Sequence, residues 1–251
     1  SALHAQAVLE SDALRARLIA ETVAQMRRGG YGGVDVDFEF LGAELADAFA
    51  GFLSELRAAV HAAGGIVVCA LAPKTSAEQR GVLYEGHDYR RIGENADAVL
   101  LMTYEWGYTY GPPMAVAPIG AVRRVVEYAL TQIPASKILL GFPNYAYDWT
   151  LPYAAGESRA RSLGNEAAAA LAVQVGAEIR FDEAAQTPYF SYTDRTGAAH
   201  EVWFEDARSC AAKYDLAQEY SLRGFGFWNF MRPFTAAFAL LNARFTILPG
   251  V

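Results

Sequence analysis

Cysteine is scarce: Cys69 and Cys210 are the two in 251 residues. That excludes a disulfide framework and a cysteine-rich zinc site. Both sit in apolar or helical surroundings and read as buried free thiols. Basic residues are also outnumbered, 21 Lys and Arg against 28 Asp and Glu, for a net charge of −7. A chain so balanced lacks the basic face that displaces phosphate counterions, so no nucleic-acid partner is expected. No apolar run reaches the roughly 20 residues of a membrane helix. The four histidines form neither an HxH nor an HExxH spacing; surface positions, solvated or hydrogen-bonded, are expected for each. Residues 1–10 show no basic stretch followed by an apolar run, the mark of a secretory leader, which leaves location open. There is no internal repeat and no low-complexity linker.

What is present is a packed globular composition, 53% hydrophobic, long enough for one sizeable core. Short apolar runs alternate with amphipathic helical patterns. Helices are expected at residues 14–28, with Ser11 as a cap and Gly29-Gly30 as a stop, and at 43–63, 89–95, 119–132, 206–220 and 233–243. Strands are expected at 33–40, 66–72, 98–104, 137–142 and 224–230. Between residues 145 and 202 the rhythm changes to short β-like pieces at 178–182, 188–193 and 201–204, with a hairpin turn at Asp194-Arg195-Thr196-Gly197. Strand–helix alternation implies parallel strands covered by helices. No glycine-rich phosphate loop follows any strand, so a (β/α)8 TIM barrel is favoured over an open doubly wound sheet. The expected organisation is barrel over residues 1–144, an α+β insertion over 145–202, and the last helix–strand–helix over 203–251.

The most informative segment is Gly33-Val34-Asp35-Val36-Asp37-Phe38-Glu39. Side chains alternate along a strand, so Asp35, Asp37 and Glu39 share one face while Val34, Val36 and Phe38 face covering helices. Three carboxylates stacked inside a barrel repel one another and lose water, which raises the pKa of at least one. Glu39 lies nearest the C-terminal end, where such barrels carry catalytic groups. The pattern suits general acid catalysis. A solvated acidic strand and a divalent-cation site built from carboxylates are the competing readings.

This segment resembles the strand-four signature of glycoside hydrolase family 18, the chitinase-like hydrolases, whose pattern is DxxDxDxE. Asp35, Asp37 and Glu39 match its last three acidic positions; Gly32 stands at the first. Leu101-Met102-Thr103-Tyr104-Glu105-Trp106 resembles the sixth-strand motif, and Gly224-Phe225-Gly226-Phe227-Trp228 the last strand. The strings ALAPKTS (70–76), MTYEWGY (102–108), GPPMAVAPI (111–119), GFPNYAYDW (141–149) and VWFEDARS (202–209) are similar to one subgroup, the spore-germination and cortex-lytic N-acetylglucosaminidases, often fused to LysM modules.

The resemblance implies a glycosidase acting on N-acetylglucosamine linkages in spore-cortex peptidoglycan, located in the spore envelope or cell wall, with no metal or organic cofactor. It implies a retaining, substrate-assisted mechanism, an exception to the two-carboxylate scheme. Glu39 would serve as acid and base, Asp37 would orient the substrate acetamido group, Asp35 would tune Asp37, and Tyr104 would hold the acetamido carbonyl. Trp228 would floor the reacting sugar. Glu105, Tyr145 and Trp106 are candidate substrate-binding residues, and Lys74 is a candidate contact for an acidic substrate group. If residues 33–40 are the fourth barrel strand, five barrel strands fall within this sequence, and three βα units are expected upstream, with a LysM module a candidate beyond them. A catalytically silent carbohydrate-binding or spore-coat protein on the same fold is the alternative.

Overall fold

A computed structural model describes residues 2–248. Helix α1 (Ala2–Leu9) and helix α2 (Asp12–Gly29) open the chain. The Ser11 side chain caps α2 by accepting from Leu14 N–H, and Gly30 ends it in the left-handed conformation. There follow β1 (Gly33–Val36), α3 (Ala46–Ala62), β2 (Ile66–Leu71), α4 (Tyr89–Asn95), β3 (Ala98–Leu101), α5 (Ile119–Leu130) and β4 (Ile138–Pro143). The intervening region holds β5 (Ala146–Leu151), β6 (Arg161–Leu163), α6 (Asn165–Val175), β7 (Arg180–Asp182), β8 (Thr187–Thr193) and β9 (Ala199–Trp203). The chain closes with α7 (Ala207–Glu219), β10 (Gly224–Trp228) and α8 (Thr235–Arg244).

Five strands form one parallel sheet in the order β1-β2-β3-β4-β10. Each neighbouring pair is joined through at least one helix, as parallel pairing requires. The result is a curled half-barrel, five parallel strands of a (β/α)8 architecture with helices outside. The main core lies between this sheet and its helices: Val36, Val67, Cys69, Leu71, Val99, Leu101 and Leu140 meet Phe49, Leu53, Leu56, Val122 and Val126. Both cysteines are buried free thiols.

The second sheet is antiparallel, in the order β6-β5-β9-β8-β7, and sits between β4 and α7. The three expected β-like pieces lie at β7, β8 and β9 with shifted ends, α6 is the helix of this α+β segment, and β5 and β6 are further strands. Side chains alternate here: Tyr145, just before β5, packs with Tyr147 and Trp149 on one face against Ala115, Val116 and Trp203, whereas Ala146 packs on the other with Ala168, Ala172 and Phe190.

Three barrel strands are shorter than expected, and each stops for a visible reason. β1 ends at Val36, because the Phe38 carbonyl accepts from His87 Nε2 at 2.8 Å and Phe40 turns into the left-handed region at φ 57°. β3 ends at Leu101, because the N–H groups of Thr103 and Tyr104 fold back onto Leu101 O and Met102 O. β10 ends at Trp228, where Asn229 and Arg232 turn their carbonyls to the buried Asn144 side chain at 2.7 and 2.8 Å. In consequence Asp37, Glu39 and Tyr104 lie on the loops just beyond the strands' C-terminal ends.

Candidate active site

The acid-bearing loop is fixed from two sides. The Phe38 ring stacks between Phe49 and Phe52 of α3, with centroids 5.6 and 5.5 Å away. Its carbonyl is held by His87, which is fully buried. Ala72 N–H donates to His87 Nδ1 at 2.9 Å, so Nδ1 carries no proton and Nε2–H is the donor to Phe38 O. Burial keeps this imidazole neutral by lowering its pKa. This corrects the expectation of a surface position. Farther along, Gly86 N–H donates to Leu41 O, and any side chain at Gly86 would collide with the Leu41 backbone.

Asp35, Asp37 and Glu39 are each accessible to solvent in this five-strand stretch of the barrel. The surrounding walls still strip enough water to push all three carboxyls above their ordinary range. For Asp35 and Glu39 the neighbouring charge of Asp37 adds to that rise.

A cleft of about 350 Å³ opens over the strand ends, lined by Asp37, Glu39, Tyr104, Glu105, Tyr145 and Trp228 among others. Tyr104 is half-buried, and desolvation with the nearby carboxylates drives its hydroxyl pKa upward, so it remains a neutral donor. Gly141 on β4 makes room for it: a side chain there would meet the Leu101 carbonyl and the Tyr104 ring. Glu105 adopts φ 69°, a left-handed conformation that costs a residue with Cβ roughly 1–2 kcal/mol. Its Oε1 accepts from Tyr145 Oη at 2.6 Å and Tyr147 Oη at 3.0 Å, which fixes the carboxylate at the cleft wall. Trp228 presents a 55% exposed ring to the cleft.

Two sequence-level candidates lie elsewhere. Trp106 packs against the main core and does not line the cleft, because its N–H donates to Val116 O and turns the chain outward after Glu105. Lys74 is 4% exposed, with Nζ donating to His87 O, so it cannot reach a substrate. Conversely, Met102, Tyr147, Ser162, Asn229 and Arg232 line the cleft and were not singled out. The Tyr145–Tyr147–Trp149 alternation was the one available signal; the others depend on how the second sheet docks. Among the described residues no three His, Cys, Asp or Glu side chains converge as a metal-holding group.

Comparison with known proteins now decides the family. The model for glycosyl hydrolases family 18 matches residues 5–232. The chain belongs to glycosyl hydrolase family 18. Within that family it is 48% identical over 241 residues to the cortical fragment-lytic enzyme of Bacillus subtilis (strain 168), covering 96% of this chain and 56% of the relative. The crystal structure of the Bacillus megaterium QM B1551 spore cortex-lytic enzyme SleL superposes with a TM-score of 0.94 at 41% identity, over 99% of this chain and 57% of that one. A chitinase from Chromobacterium violaceum ATCC 12472 superposes with a TM-score of 0.88 at 28% identity, over 96% of this chain and 74% of that one. The chain therefore falls with the spore cortex-lytic members and spans a little over half the length of these curated relatives.

Proposed function

We propose that this chain carries the catalytic centre of a glycosidase that cleaves N-acetylglucosamine linkages in bacterial spore-cortex peptidoglycan. The observation that carries the reading is the cleft itself. Glu39, a carboxyl held above its ordinary pKa, faces the same space as Asp37, Tyr104 and Trp228.

Membership of family 18 and these positions together support the following chemistry. Glu39 donates its proton to the glycosidic oxygen as the bond to the leaving sugar breaks. The acetamido carbonyl oxygen of the substrate attacks the anomeric carbon and forms an oxazolinium ion, retaining configuration over two steps. Asp37 accepts from the acetamido N–H and offsets the positive charge. Asp35, whose carboxyl is raised by loss of water and then by the Asp37 charge, tunes Asp37. The neutral Tyr104 hydroxyl donates to the acetamido carbonyl oxygen and aligns it. Glu39, now ionised, takes a proton from the water that opens the intermediate. The Trp228 face supports the sugar ring, and Glu105, braced by two tyrosines, accepts from sugar hydroxyls. Residues 145–202 act as an insertion that supplies the cleft wall. The names of the cortex-lytic relatives support a spore-envelope or cell-wall setting.

Mass spectrometry of soluble fragments released from spore-cortex peptidoglycan tests this directly. Fragments ending in reducing N-acetylglucosamine, absent with Glu39→Gln, are expected. Glycan binding without any released fragment would instead support a silent binding protein.

A further inference from the structure

Glu39 is fastened on both sides by one short segment. The carbonyls of Phe38 and Leu41 bracket it, and they accept from two consecutive residues. His87 Nε2–H donates to Phe38 O at 2.8 Å, and Gly86 N–H donates to Leu41 O at 2.9 Å. Between these points Phe40 turns through φ 57°, and β1 has already ended at Val36, so no strand ladder holds either carbonyl.

The two clamps differ in kind. Gly86 donates from its backbone, and that bond is the same at every pH. The His87 ring holds Phe38 O in one protonation state alone. Its Nδ1 accepts from Ala72 N–H at 2.9 Å, which leaves Nε2 to carry the proton. A second proton would set Nδ1–H against Ala72 N–H, two donors facing each other at a fully buried ring.

Nothing packed against the ring stabilises that charge. Phe49 of α3 stacks on it with centroids 6.0 Å apart. Lys74 Nζ, itself a cation, donates to His87 O at 3.1 Å, and the Tyr89 hydroxyl donates to Ala72 O. Asp88 uses its carboxylate to cap α4 at Arg91 N–H, while Asp37 and Glu39 line the cleft. Among the described residues no carboxylate pairs with the imidazole. A charged ring relieves the conflict by moving, and moving releases Phe38 O.

We propose, on the glycosidase reading above, that His87 is a positioning residue whose neutral ring fixes the Phe38 peptide and so aims Asp37 and Glu39, and whose protonation releases them. Activity is then lost at acidic pH as His87 charges, apart from the alkaline loss as Glu39 gives up its proton. Burial, and then the Lys74 charge, lower the His87 pKa from its ordinary 6.5, so the acid loss falls below that value.

The pH dependence of kcat/KM on soluble cortex fragments, joined to NMR of 15N-labelled histidine, tests this. At pH 7 His87 should show the Nε2–H tautomer, and its titration midpoint should coincide with the acid limb. His87→Gln offers an amide oxygen to Ala72 N–H and an amide N–H to Phe38 O without titrating. It should retain most of the activity at pH 7, with its acid limb moved to lower pH. His87→Phe fills the space with neither bond and should lower kcat about 10²-fold with KM little changed. An imidazole that stays neutral through the acid limb, or a limb that stays in place in His87→Gln, would overturn the proposal. One readout needs no substrate and no change at His87. In the Glu39→Gln protein the Phe38 carbonyl 13C resonance should move at the His87 midpoint, and a resonance that ignores that midpoint would overturn the proposal as well. An unmutated protein that cleaves nothing while this coupling holds would sink the glycosidase reading alone.

Discussion

Two sets of carboxylates, in two parts of the molecule, are treated in opposite ways. In the region around the antiparallel sheet the buried acids are provided for. Asp148, on β5, accepts from Arg161 and Tyr192 at one oxygen and from His200 at the other, at 2.8 to 3.0 Å. Glu205 is fully buried yet ion-paired to Lys213 Nζ at 2.8 Å. At the mouth of the parallel sheet, Asp35, Asp37 and Glu39 enter none of the ion pairs found among the described residues, and all three hold protons more tightly than usual. Paired acids make a frame. Burial raises the Glu205 carboxyl as well, so what sets Asp37 and Glu39 apart is that they face the cleft without an ion-pair partner.

The contrast can be broken from either side. The largest effect is expected at the unpaired end: Glu39→Gln should lower kcat by about 10²–10⁴-fold with affinity for the glycan retained, measured on a soluble oligosaccharide. On the paired side, Lys213→Met strands the buried Glu205 carboxylate and should cost about 3–5 kcal/mol of stability in a urea titration. The cleft wall lies between these extremes. Tyr145→Phe removes the 2.6 Å hydrogen bond to Glu105 but leaves that of Tyr147, and should reduce kcat/KM about 10-fold, the equivalent of one bond to a charged group.

The smallest effect concerns stability at the unpaired end. A carboxyl whose folded-state pKa is raised favours folding below its ordinary pKa and opposes it once pH rises through the raised value. Asp35→Asn should therefore raise Tm slightly at pH 7 and lose that advantage near pH 3, below the ordinary aspartate value of 3.8. Thermal melts at the two pH values check the sign.

The same two regions differ in how well the sequence foretold them. Strands such as Ile66–Leu71 and Ile138–Pro143 are covered by helices and read as unbroken apolar runs, so the parallel sheet was legible. The alternation at Asp35, Asp37 and Glu39 pointed to the acidic site, even though the last two leave the strand. What ends the strand is the His87–Phe38 bond, made 49 residues away in sequence, which no local pattern reveals. In the second sheet, β5 is largely buried yet mixes tyrosine, alanine, aspartate and tryptophan, so it looked like loop. Arg232 is held at the cleft by Leu163 and Asn144, 69 and 88 residues distant, which no local pattern reveals. Trp106 misled in the opposite sense: an aromatic next to site residues turned out to face the core.

The most direct measurement is the pH dependence of kcat/KM for the unmutated protein and for Asp37→Asn. If Glu39 is the acid, the alkaline limb should lie above the ordinary glutamate range. It should move to lower pH when the Asp37 charge is removed, since that charge helps to raise Glu39. A limb within the ordinary range, or one that stays in place in Asp37→Asn, would contradict the assignment of Glu39 as the proton donor.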